Sequence, residues 1–104
     1  MKITIVGRKV NLRNNFKELA ERKLSKFNRI FDEDAEATVT VTVERNRQTV
    51  EITVYDNGIT VRAEKTADQM EAALEDAADL LTRRLVKNRK RLSTKMTRAA
   101  EWPA

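Results

Sequence analysis

Lys2 to Val6 (KITIV) alternates polar and apolar residues, with Ile3 and Ile5 on one side, and predicts a strand that Gly7 punctuates. From Phe16 the period changes. Phe16, Leu19, Ala20, Leu24, Phe27 and Phe31 follow helical spacing, so the pattern predicts a helix that ends at Phe31-Asp32-Glu33-Asp34. Asn14 or Asn15 is its candidate cap, with Glu18 placed after Asn15 as in a capping box. Glu36 to Arg45 then alternates without a break. Val39, Val41 and Val43 point one way and Thr38, Thr40 and Thr42 the other, which predicts an antiparallel strand with one wet face. Gln48 to Tyr55 alternates again through Val50, Ile52 and Val54, and the short Asn46-Arg47 connection predicts a hairpin. Asp56-Asn57-Gly58 is a turn signal, and Ile59, Val61 and Ala63 give a fourth strand. A long helix follows, capped by Thr66 or Asp68, with Met70, Leu74, Ala77, Leu81, Leu85 and Leu92 as its buried stripe.

The predicted order is β-α-β-β-β-α. Every strand has one apolar face and each helix one apolar stripe. A two-layer α+β sandwich satisfies them all: a four-stranded sheet with both helices on one face. Leu81 and Leu85 are expected to be buried against Ile3, Val41 and Ile52. Residues 1–92 form one domain, and Ser93 to Ala104, small, polar and aperiodic, reads as a flexible tail or the start of a linker.

Composition narrows the chemistry. With 104 residues there is room for one core. Cysteine and histidine are both absent, which removes disulfides, thiolate metal sites and the commonest general base. With only two glycines there is no phosphate-cradling loop, so an enzyme is not expected, nor a cofactor or metal. Glu71, Glu75, Asp76 and Asp79 fall in the first half of the long helix, where acids suit the macrodipole without any metal. No stretch could span a membrane and the N-terminus lacks a signal peptide's apolar run, so the expected location is cytoplasmic.

Charge is distributed unevenly around a net +5. Met1 to Phe31 carries nine bases and two acids, and Thr82 to Ala104 eight bases and one acid, while the middle is acidic. If the fold unites the two ends of the sequence, one face is basic and the opposite face acidic, and such a field orients a protein on a polyanion. The densest run is TRRLVKNRKRL, Thr82 to Leu92, with Arg83, Arg84, Lys87, Arg89, Lys90 and Arg91 and no acid. On a helix, Arg83, Arg84, Lys87, Lys90 and Arg91 share a flank beside the apolar stripe, and Arg89 points away. In the first helix Arg22, Lys26 and Arg29 share a polar flank, with Lys23 nearer the stripe, where its stem can snorkel. Taken alone, such a run is as well explained by a solvated face. Two basic flanks on a charge-segregated domain favour nucleic acid, and structured RNA above all. Solubility explains Arg45 and Arg47 at the hairpin at least as well as RNA contact. Tyr55 on the wet face has no aromatic companions, which argues against a base-stacking platform. The alternative function is a protein-interaction module using the exposed sheet face or edge.

Four segments carry a resemblance: MKITIVGRKV at the start, ERKLSKFNRIF in the first helix, TVERNRQTVEITV across the hairpin, and VRAEKTADQMEAALEDAADLLTRRLVKNRKRL at the end. In order and spacing, from Met1 to about Leu92, the chain resembles the ribosome hibernation-promoting factor family, also called ribosome-associated inhibitor or sigma-54 modulation proteins. The resemblance implies a fold like a double-stranded-RNA-binding domain. It also implies that the partner is the small ribosomal subunit, through its ribosomal RNA. There the domain would lie between head and body and block the messenger and transfer RNA sites. The family's basic pattern matches Arg22, Lys23 and Lys26 in the first helix and Arg83, Lys87, Arg89 and Arg91 in the second. Leu80 stands where a lysine is frequent and Glu71 where a tyrosine is common, while Arg84 and Lys90 are bases where the family often has polar residues. Neither a membrane nor a small-molecule substrate is implied. Dimerisation is expected only with the second domain that long members of the family carry.

Overall fold

The computed structural model of the protein describes residues 1–87, the last two as backbone alone. Strand β1 (Lys2–Arg8) leads into helix α1 (Asn14–Ser25) and a 3-10 turn (Lys26–Arg29). Strands β2 (Glu36–Glu44), β3 (Arg47–Asp56) and β4 (Ile59–Ala67) follow, then helix α2 (Met70–Lys87). The α+β fold and its β-α-β-β-β-α order are as the periodicities predict. The stretch from residue 88 to Leu92, predicted as helix, and the predicted tail from Ser93 to Ala104 lie outside the described residues.

The sheet is mixed. Its strand order is β1-β2-β3-β4, with β1 parallel to β2 and the other pairs antiparallel. Parallel neighbours need a crossover, and α1 supplies it, carrying the chain from the end of β1 back to the start of β2. The apolar face of the sheet (Ala37, Val39, Val41, Val50, Ile52, Val54, Val61, Ala63) forms one core with Phe16, Ala20 and Leu24 of α1, then Phe27 and Phe31. From α2 come Ala73, Leu74, Ala77, Ala78, Leu81 and Leu85. The alanines flank the leucine stripe and let the helix lie close to the sheet, over β3 and β4. Leu81 and Leu85 are buried in the same core as Val41 and Ile52. Ile3 differs from expectation: it is half-buried on the far edge strand, on α1's side.

Three local predictions are replaced by what packing requires. Neither Asn14 nor Asn15 caps α1. Arg13 holds the cap position without a side-chain bond. Its carbonyl accepts from the amides of Phe16 (3.1 Å) and Lys17 (3.2 Å). Burial of Phe16 fixes where the helix enters, and that outweighs a cap of about 1 kcal/mol. The first helix also stops at Ser25 instead of Phe31. The Ser25 hydroxyl donates to the Arg22 carbonyl at 2.7 Å, and the chain tightens into the 3-10 turn. Finally, Thr66 is a strand residue, its hydroxyl 2.8 Å from that of Thr49. The Gln69 carbonyl accepts the first bond of α2, from Ala73, so Asp68 lies one residue before the cap.

Candidate nucleic-acid interface

Strand direction decides where the basic residues gather. Because β4 is antiparallel to β3, which is antiparallel to β2, it runs the same way as β1 and β2. Each helix therefore leaves a strand of the same direction and returns across the same apolar face. Both helices thus run toward the same end of the sheet, the end where β1, β2 and β4 begin. Arg22, Lys26, Arg29 and Arg83 are exposed there, with Lys23 half-buried between the helices. Cations at helix C-termini also suit the macrodipole. Lys87 is the last residue of α2, described as backbone, and Arg89, Lys90 and Arg91 lie outside the described residues.

Several of these cations are engaged within the domain. Lys23 Nζ lies 3.9 Å from Glu75 Oε1 on α2. Lys26 Nζ stands 5.3 Å from the centroid of the Phe27 ring, within cation–π range. Arg84 turns away from its neighbour Arg83: its guanidinium donates to the main-chain carbonyl of Arg62 on β4. This contact also covers part of an edge strand, which otherwise offers unpaired backbone groups. Arg83 and Arg84, predicted to share one flank, thus differ in their surroundings, with Arg84 reaching the sheet edge.

The acids do not form the opposite face that charge segregation suggested. Glu71, Glu75, Asp76 and Asp79 are exposed along the first half of α2, so charge changes sign along the helical layer. Asp32, Glu33 and Asp34 are exposed just before β2, near the basic end, and the Asp32 amide donates to Asp56 Oδ2 at 3.4 Å. The outer sheet face is mixed. Lys2, Arg8 and Arg62 alternate with Glu36, Glu51 and Glu64 among threonines, and Arg62 Nε lies 3.6 Å from Glu51 Oε2. Val6 and Tyr55 are the large apolar residues exposed there, in separate rows of the register. Isolated apolar residues of this kind are ordinary surface.

The family model for "Sigma 54 modulation protein / S30EA ribosomal protein" matches residues 3–93. A protein named ribosome hibernation promoting factor from Azotobacter vinelandii is 31% identical over 91 residues, covering 88% of this chain and 85% of that protein. The Escherichia coli (strain K12) protein of the same name is 28% identical, over 88% of this chain and 97% of its own. A Deinococcus radiodurans relative, named ribosome hibernation promotion factor, is 38% identical over 78% of this chain but is longer, the match covering 45% of it. Among solved structures, the Thermus thermophilus Protein Y N-terminal domain superposes with a TM-score of 0.71 at 28% identity, over 80% of this chain and 94% of that one. A ribosomal subunit interface protein from Coxiella burnetii shares the fold, with a TM-score of 0.76 at 20% identity over 86% and 99% of the two chains. On the sequence match across most of its length, and on the fold that carries it, the chain belongs to the sigma 54 modulation protein / S30EA ribosomal protein family.

Proposed function

We propose that the protein is a ribosome hibernation factor of the cytoplasm that binds ribosomal RNA of the small subunit and blocks the messenger and transfer RNA sites by occupying them. The observation that carries the reading is the convergence of two helix ends, with Arg22, Lys26, Arg29 and Arg83 exposed at one end of the sheet. The names of the relatives supply the ribosome as the polyanion in question. Duplex RNA hides its base edges in a deep groove and is read through backbone and shape, so these cations act on phosphates more than on bases. Occupying a channel needs no bond-making, so inhibition follows from binding alone, without catalysis or cofactor.

The test titrates the protein into a translation extract and then measures binding to small subunits with and without prebound transfer RNA at several salt concentrations. Inhibition should saturate near one copy per ribosome, transfer RNA should compete, and affinity should fall steeply with salt. Each neutralised phosphate contributes about 0.7–0.9 to the log–log slope. Inhibition far below one copy per ribosome, or binding indifferent to both salt and transfer RNA, overturns the steric reading.

A further inference from the structure

The opposite end of the sheet carries a second group of cations, brought together by three separate segments. The parallel register sets Arg8, at the end of β1, beside Thr42 of β2. Two residues later β2 ends at Glu44, paired across the hairpin with Arg47, and Arg45 and Asn46 form the tip. Lys9 and Arg13 lie in the connection that returns from β1 to α1. Arg8, Lys9, Arg13, Arg45 and Arg47 are all exposed. Among the described residues, none of the five side chains has a hydrogen bond or ion pair. The exposed acids toward this end are Glu44 on the hairpin, Glu18 near the start of α1, and Asp68 and Glu71 at the start of α2. At the helix C-termini, by contrast, Lys23 and Arg84 are already engaged.

The backbone holds this group in place. Lys9 (φ 63°) and Arg45 (φ 54°) are left-handed, a conformation that disfavours side-chain-bearing residues by about 1–2 kcal/mol and suits glycine or asparagine better. Among the described residues the other left-handed non-glycine position is Asn57, the easier choice. At Lys9 and Arg45 a long cation stands instead, so the positions carry charge at the expense of backbone ease. The loop bearing Lys9 is folded tightly on β1: a Cβ at Gly7 would lie 2.5 Å from the Val10 carbonyl and 3.0 Å from Leu12 Cγ. Arg13 adds a positive charge at the start of α1, whose first turn has no acid, against the direction the macrodipole favours. Beside them, Thr42, Glu44, Arg47 and Thr49 line a shallow polar hollow.

We propose that this hairpin-end surface is a second RNA contact, taking the phosphates of a ribosomal RNA segment distinct from the one at the helix C-termini, so that the domain is held at both ends. The inference rests on the RNA-binding reading above. The nine residues of β2 span roughly 30 Å at about 3.3 Å per residue. That is some three Debye lengths of about 8–10 Å, so the two ends are separate electrostatic surfaces. The surface is polar and cationic with no apolar centre, which suits a nucleic-acid backbone and not a protein interface, whose middle is apolar.

The chain has no cysteine, so single tethers are available. An iron chelate that generates hydroxyl radicals is attached at Asn46→Cys, on the hairpin tip, and separately at Asn28→Cys, near the helix C-termini. Each labelled protein is bound to small ribosomal subunits. Cleavage of ribosomal RNA from both positions, at different nucleotides, is the expected result. In parallel, Lys9→Asn/Arg45→Asn/Arg47→Thr removes three cations while giving both left-handed positions a residue that tolerates them. Thermal unfolding should be unchanged or raised, and the salt slope of subunit binding should fall by about 2–3. Cleavage from position 28 with none from 46, or from 46 on ribosomal proteins alone, overturns the second contact and leaves the first. A triple variant that binds with the wild-type slope does the same. Absence of RNA cleavage from both positions removes the RNA-binding reading and this inference with it.

Discussion

Lys23 Nζ on α1 and Glu75 Oε1 on α2 stand 3.9 Å apart, a link between the two helices of the outer layer. Both side chains are substantially exposed, at 36% and 62%, so the pair contributes at most about 1 kcal/mol to stability. Its greater consequence is electrostatic: a carboxylate stands beside one of the cations that face the proposed RNA partner. Replacing Glu75 with Gln should change the unfolding free energy by less than about 1 kcal/mol, measured by chemical denaturation. It should also tighten sedimentation with small subunits at low salt. Weaker binding in the variant would mean that the pair positions Lys23 for its contact.

Arg83 and Arg84 are neighbours in sequence with different surroundings. Arg83 is exposed on α2, whereas the Arg84 guanidinium donates to the Arg62 carbonyl at the sheet edge. Arg83→Ala should lower the salt slope of subunit binding by about 0.7–0.9. Arg84→Ala should leave that slope nearly unchanged and lower stability by about 0.5–1.5 kcal/mol, the net worth of one hydrogen bond. Equal effects on binding would place both arginines at the RNA.

Leu81 is fully buried on the stripe of α2 that faces the sheet. Leu81→Ala should destabilise the domain by about 2–5 kcal/mol, transfer and cavity terms together. Asp79→Ala, on the exposed side of the same helix, should stay within about 0.5 kcal/mol. Urea unfolding of both variants checks the assignment of faces, and a small effect at Leu81 would refute it.

The two glycines are required for different reasons, and substitution separates them. At Gly7 an added Cβ meets the Val10 carbonyl at 2.5 Å, so Gly7→Ala should cost about 1–3 kcal/mol through crowding and Gly7→Asn more. At Gly58 there is open space but φ is 79°, so Gly58→Ala should cost about 1 kcal/mol through backbone strain and Gly58→Asn less than that. Thermal melts of the four variants should show opposite orders for Ala and Asn at the two sites.

The hydrophobic pattern alone determined the element types and their order, because a period of two or of three to four survives any arrangement of neighbours. Val39, Val41 and Val43, then Val50, Ile52 and Val54, announce a hairpin, and Leu74, Ala77, Leu81 and Leu85 announce the helix that covers it. The density of cations after Thr82, and the absence of histidine and cysteine, were equally plain in one dimension. Caps and helix ends were not. Asn15 and Glu18 have the right chemistry, but the fit of Phe16 into the core chose Arg13, and Ser25 ended the helix whose spacing runs on through Phe27 and Phe31.

Only the tertiary structure decided which charges stand together. That β1 runs parallel to β2 depends on the crossover and the sheet order, and no local pattern encodes it. The same pairing gives both helices one direction, gathers Arg22, Lys26, Arg29 and Arg83 at one end, and sets Arg8 near Arg45 and Arg47 at the other. The turn of Arg84 toward Arg62 and the reach of Lys23 to Glu75 follow from side chains of elements far apart in sequence. Charge acts over about 10 Å through space, and sequence distance says little about that until the chain has folded.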